Sequence, residues 1–232
     1  MNNKTPKLSK FNGLASIFSD VFTDTSKKTR KTRQSKKARK SKKTRKTRIA
    51  QRTKNLKSYL NMLAKSNIKY KWWFEGDIID KNGPFYYENK NPPSIKKMQE
   101  EGINCAGLIN VLFRYMKLKL PKEGGGTEGW FKHFNKNLNG KKTLLPINLD
   151  KNYPVGTIVL RDYHNEKDQG HLAMVYDDSK LLKYTKIIHA YSSSPINRNL
   201  NDPGIVVENF SKSHQWFNGT YTHVVLPSQW MK

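Results

Sequence analysis

The chain has 232 residues, enough for one domain of ordinary size and an appendage. Its 44 Lys/Arg stand against 18 Asp/Glu, for a net charge of +26, a basic balance that points to contact with polyanions. The single cysteine excludes an internal disulfide and a multi-cysteine zinc site, and no apolar run approaches the ~18 residues that cross a bilayer.

Residues 1–25 read as a weakly structured arm. Met1 to Lys10 is polar, and the apolar patch Phe11 to Phe22 is broken by Asn12, Gly13, Ser16, Ser19 and Asp20. That is not a secretory apolar region, so the expected setting is intracellular or particle-associated. Residues 26–48 are of low complexity. The eight residues from Ser26 to Arg33 recur letter for letter from Ser41 to Arg48. With no apolar side chain larger than Ala38, nothing offsets the entropy of ordering this backbone, and a disordered polycation is expected. Residues 27–57 carry 17 Lys/Arg and no acid. Such a run contacts nucleic acid or another polyanion through its phosphates, or serves as a nuclear address; the plain alternative is a solubilising linker.

From residue 49 to 232 the pattern is that of a folded domain. Ile49, Leu56, Leu60 and Leu63 share one face of a helix reaching about Ala64. Tyr70 to Phe74 is an aromatic cluster fit for a strand or a cleft rim. Ser94 is placed to cap a short helix through Glu101. Cys105, Leu108, Ile109, Leu112, Phe113 and Met116 then fall on one helical face, with Asn104 as N-cap and Cys105 in the first turn. Thr127 opens another short helix with Trp130 and Phe131. After Pro146 the candidate strands are 157–162, 171–176, 184–191, 205–210 and 220–226, joined by short polar links, so an antiparallel sheet of about five strands is expected. Helices followed by sheet make an α+β domain.

Taken alone, a cysteine on an apolar helix face is more often packing than catalysis. The two histidines that follow it change the balance. His171 alternates with Ala173 and Val175, and His189 with Thr185 and Ile187, so each ring sits on a core-facing side of a strand and needs a polar partner. A thiol at a helix start can act as a nucleophile, and a helix N-terminus with a nearby imidazolium lowers a thiol's pKa, so rapid alkylation at pH 6 is expected.

Several fragments together resemble the NlpC/P60 cysteine peptidases of the papain-like superfamily. Cys105 with Gly107-Leu108 is similar to that family's D-C-S-G-L helix start. The run from Tyr153 to Leu160 is similar to its P-G-D-L-V-F-F strand. The run from Gly170 to Tyr176 resembles G-H-V-G-I-Y, and Ile188-His189-Ala190 resembles the following strand. Tyr70-Lys71-Trp72 resembles Y-x-W. The likeness spans about residues 55–230 and implies a papain-like fold and hydrolysis of a peptide or isopeptide amide, as in cell-wall peptides.

In that resemblance Cys105 is the nucleophile, His171 the general base, His189 the residue that orients it, and Tyr70 a neighbour of the oxyanion. Trp72, Trp73, Asn104, Ala106 and Gly170 take substrate-binding positions. Asn104 and Ala106 depart from the usual acid and serine, which changes the substrate subset before it changes the chemistry. Trp73-Phe74 replaces a usual glycine pair, so a bulkier cleft wall is implied. No cofactor and no metal are implied. The rival reading is a non-catalytic nucleic-acid-binding or particle-associated structural protein that works through the basic segment. His133, His164, His214 and His223 are expected on the surface or in loops, and Trp130 in the core or at a groove.

Overall fold

In a computed structural model, the residues described are 35, 38, 47–71, 91–122, 124–136, 142–162, 164, 170–178, 180–191, 203–216 and 221–231. Contacts divide the chain into Met1–Arg48 and Ile49–Lys232. The low-complexity segment 26–48 lies largely outside the described residues; Ser35, Ala38, Thr47 and Arg48 have helical backbone.

Helix α1 (47–64) turns Leu56, Leu60 and Leu63 inward, all fully buried, as their spacing predicts. Ile49 is only half-buried, and the first turns carry exposed cations. Two short helices and one longer one follow: α2 (Ile95–Glu101), α3 (Cys105–Tyr115) and α4 (Thr127–Asn135). Ser94 Oγ accepts from the Lys97 N–H at 3.2 Å, which gives α2 the cap its sequence announces. Helix α3 is buried from Cys105 to Phe113. Fully burying Leu108, Ile109 and Leu112 contributes roughly 1.5–3 kcal/mol each. Trp130 of α4 is core, with Nε1 donating to Asn110 Oδ1 at 2.9 Å and its ring against Phe113. The indole therefore buries its area without leaving its polar atom unpaired.

The sheet is open, antiparallel and six-stranded: β1 (Leu145–Pro146), β2 (Ile158–Arg161), β3 (His171–Val175), β4 (Lys186–Tyr191), β5 (Gly204–Asn209) and β6 (His223–Val225), in the order β1-β6-β2-β3-β4-β5. About five strands were expected. The extra one, β1, is a two-residue edge strand whose second residue is Pro146, tolerated because an edge position needs no donor on its outer side. The strand expected at 205–210 stops at Asn209. Phe210 begins α5 (Phe210–Trp216), its N–H donating to Thr185 O at 2.9 Å. Residues Leu182–Tyr184 form a 3₁₀ turn rather than the start of a strand, and β6 is shorter than expected, leading into α6 (Pro227–Trp230). No described helix is long and apolar enough to cross a membrane.

Strand alternation sends the two faces of the sheet to different clusters. Leu160, Leu172, Met174, Ile188, Ala190 and Ile205 join the large core around α3. Val159, Ala173, Val175 and Ile187 pack with Tyr153, Phe210 and Tyr221 on the other face. The position of a residue along its strand thus decides which core it meets.

Candidate active site

Cys105 opens α3, and its position is set by the turn before it. Asn104, in extended conformation, accepts from the Gly107 N–H at 2.8 Å and caps the helix. Its carboxamide oxygen, assigned by resemblance to substrate, is engaged in that cap. Ala106 is buried in the α3 core. Just upstream, Ile103 forms a parallel bridge with Tyr70, flanked by Lys71 N–H to Ile103 O at 3.2 Å and Ile103 N–H to Lys69 O at 3.0 Å. Tyr70, half-buried, is thereby fastened two residues before the cysteine. Trp72 and Trp73 lie outside the described residues.

The Cys105 side is 8 % exposed. Thr127 Oγ1, at the first residue of α4, lies 4.0 Å from Sγ. The sulfur also receives the Leu172 backbone N–H, which places it at the beginning of β3, one residue along from His171. Burial pushes the thiol up from its ordinary value of 9.0; the Leu172 N–H, Thr127 and the N–H groups of Ala106 and Cys105 offset part of that. The lowered thiol pKa expected from a helix N-terminus is therefore not what the resting site has. Loss of water around the sulfur outweighs the local donors.

His171 begins β3 directly after Gly170, whose φ of +70° favours glycine and where a Cβ would stand 2.6 Å from the carbonyl oxygens of Arg161 and Asp162. Gly170 is thus a backbone requirement of the turn from β2 into β3. His171 Nε2 is 2.8 Å from His189 Nδ1. His189 Nε2 is in turn 2.9 Å from Glu208 Oε1 on β5. His189 is fully buried, and its ring stacks on Tyr191 at 4.9 Å. The two histidines expected to meet do so, on the sheet face opposite the one that carries Leu172 and Met174.

The surroundings add charge. Arg161, buried on β2, pairs with His171 in register. Burial, then the neighbouring His189 and Arg161, hold His171 well below its ordinary 6.5, so the ring is neutral at rest. For Glu208, burial raises the carboxyl, but the hydrogen bond and charge of His189, followed by Lys212, bring it below its ordinary value. Tyr221, whose ring lies 5.9 Å from His171, is driven up by burial, eased by its hydrogen bond with Ser213 and pushed further by Cys105 and Glu208. Sulfur, rings and carboxylate thus share one electrostatic neighbourhood.

Glu208, Arg161, Tyr221 and Thr127 were missed in the sequence. Glu208 carried a usable signal. It is the only acid in the strand next to that of His189, and Val206 and Glu208 alternate onto the same face once β4 and β5 pair. Of the remaining histidines, His133 and His223 are half-buried on α4 and β6 rather than in loops, and His164 is exposed.

No protein-family model matches the chain, and no curated protein matches it. Among solved structures it is similar to the wild-type endolysin LysIME-EF1, with a TM-score of 0.41, 11 % identity, and coverage of 75 % of this chain and 64 % of that one. The chain spans less than two thirds of that endolysin's length, and no residue role follows from the likeness. The chain's own residues set a thiol at a helix tip against the Leu172 N–H of β3, and a hydrogen-bonded row of two imidazoles and a carboxylate that starts from the preceding residue, His171.

Proposed function

We propose that the domain from residue 49 onward is a thiol amide hydrolase of the NlpC/P60 type, with a papain-like arrangement. The observation that carries this reading is the row His171–His189–Glu208, linked at 2.8 and 2.9 Å, whose first member immediately precedes Leu172, the residue whose backbone N–H donates to the Cys105 sulfur. Buried imidazoles are costly unless partnered, and two in series next to a cysteine have a use in moving a proton.

In this reading the resting pair is a neutral thiol and a neutral imidazole. As Sγ attacks an amide carbonyl, its proton passes to His171 Nδ1, the nitrogen not engaged by His189. The oxyanion is met by the Cys105 N–H, with Tyr70 alongside. Collapse of the tetrahedral species breaks the C–N bond, and His171 returns the proton to the leaving amine. The same nitrogen then deprotonates the water that hydrolyses the thioester. The substrate class is a peptide or isopeptide, as in wall-type peptides.

The test is incubation of the protein with a panel of wall peptides and isopeptides, followed by mass spectrometry. Turnover with a transient acyl adduct on Cys105, absent in Cys105→Ala, is expected. A wild type that is folded but gives neither product nor adduct across the panel would overturn the proposal.

The 17 Lys/Arg and absent acids of residues 27–57 favour a second, compatible role: contact with nucleic acid or another polyanion, in an intracellular or particle-associated setting. Retention on DNA that weakens steeply from 50 to 200 mM salt, and that is lost when residues 26–48 are deleted, is the expected result.

A further inference from the structure

The geometry points to Glu208 as a positioning residue that sets the tautomers of both histidines through one directional hydrogen-bond chain, leaving His171 Nδ1 as the proton acceptor. This rests on the hydrolase reading for its consequence, but not for its structure.

The logic follows from donor and acceptor counts. An ionised carboxylate only accepts. Glu208 Oε1, 2.9 Å from His189 Nε2, therefore requires that nitrogen to carry the proton. A neutral imidazole has one N–H, so His189 Nδ1 is an acceptor. His171 Nε2, 2.8 Å away, must then be the donor, and His171 Nδ1 carries no proton and presents a lone pair. Removing the carboxylate allows the chain to run backward. His189 Nδ1–H then donates to His171 Nε2, and His171 carries its proton on Nδ1, where it cannot accept one from sulfur.

The placement supports such a role. Glu208 lies two residues beyond Val206, the register partner of His189, so its side chain reaches across the sheet face diagonally. Its side chain is 13 % exposed, whereas His189 has no access to water that could supply an alternative partner. Lys212 Nζ, in the first turn of α5, is 3.7 Å from the other carboxylate oxygen. Among the described residues, the other titratable groups near the row are Arg161 on β2, Tyr191 on β4, Tyr221 before β6 and Cys105 on α3. None of the four presents an acceptor of equal charge to His189 Nε2. When His171 takes the thiol proton, both its nitrogens carry protons, the existing bonds keep their direction, and Glu208 supplies the balancing charge. No second proton transfer is required.

The test is ¹⁵N NMR of the imidazoles in the folded full chain, wild type against Glu208→Gln and Glu208→Ala, with the melting temperature recorded for each. Wild type should show both His171 and His189 protonated on Nε2, and a substituted chain should show mixed or reversed tautomers. Hydrolysis by Glu208→Ala should fall at least about tenfold, since a wrong tautomer behind a catalytic imidazole costs up to about 10⁴-fold. A proton on His171 Nδ1 in wild type, or unaltered tautomers in Glu208→Ala, would overturn the proposal. The wild-type spectrum decides even where both substitutions unfold the protein. Because it reports the rings without turnover, its failure is separate from that of the hydrolase reading.

Discussion

The sulfur of Cys105 has several donors around it and yet stays protonated, because desolvation of a thiolate costs more than the backbone N–H groups and Thr127 return. The His171 imidazole is neutral for the same reason: burial, then the neighbouring His189 and the charge of Arg161, resist a second proton. A resting ion pair is not what this site stores. The consequence is measurable with iodoacetamide and mass spectrometry of the Cys105 peptide. Alkylation at pH 6 should be no faster than that of an unperturbed thiol and should rise only as pH passes about 9. Fast modification at pH 6 would show the pair to be ionised at rest.

Helix α3 joins the core to the candidate site, and its two ends respond differently to change. Asn104→Ala removes the cap that fixes the first turn and should cost about 1 kcal/mol, with a larger effect on turnover than on stability, because Cys105 sits in that turn. Leu108→Ala, one turn further in and fully buried, should cost about 2–5 kcal/mol by opening a cavity in the α3 core. Urea unfolding of the two variants separates them: a midpoint shift for Leu108→Ala several times that for Asn104→Ala is expected. Strands β3, β4 and β5 form the complementary element, since their register alone brings His171, His189 and Glu208 onto one face. A slip of one residue would turn the row to the other cluster.

For the whole molecule, the buried groups define a pH window of stability. His171 has a folded pKa below 6.5, so under acid the unfolded chain binds a proton that the folded one refuses. Stability should fall as pH drops below about 6.5, by up to about 1.4 kcal/mol per pH unit from this group. Glu208, also lowered, adds its loss at still lower pH, as pH falls below its ordinary value of 4.5. Cys105 is raised, so the folded chain keeps a proton that the unfolded one releases, and stability should fall again above about 9. Denaturant unfolding across pH 4–10 should show a plateau between those limits. A flat profile on the acid side would mean that His171 is not buried neutral.

Much of this protein was legible in its one-dimensional pattern because the signals were local or periodic. The apolar face of α3, the Asn104 and Ser94 caps and the alternation of β3 and β4 are set by nearest-neighbour geometry, and they located Cys105, His171 and His189 without coordinates. The edge strand at Leu145–Pro146 escaped because two residues carry no period, and α5 because it follows β5 with no breaker between Asn209 and Phe210. Glu208, Arg161 and Tyr221 escaped for another reason. Each comes to the site from a separate strand or strand flank, through the pairing of strands distant in sequence. Register and burial, not residue type, decided which acid faces His189, and burial alone decided that the thiol and imidazole rest uncharged. Local pattern can name the candidate groups; only the packed sheet sets their protons.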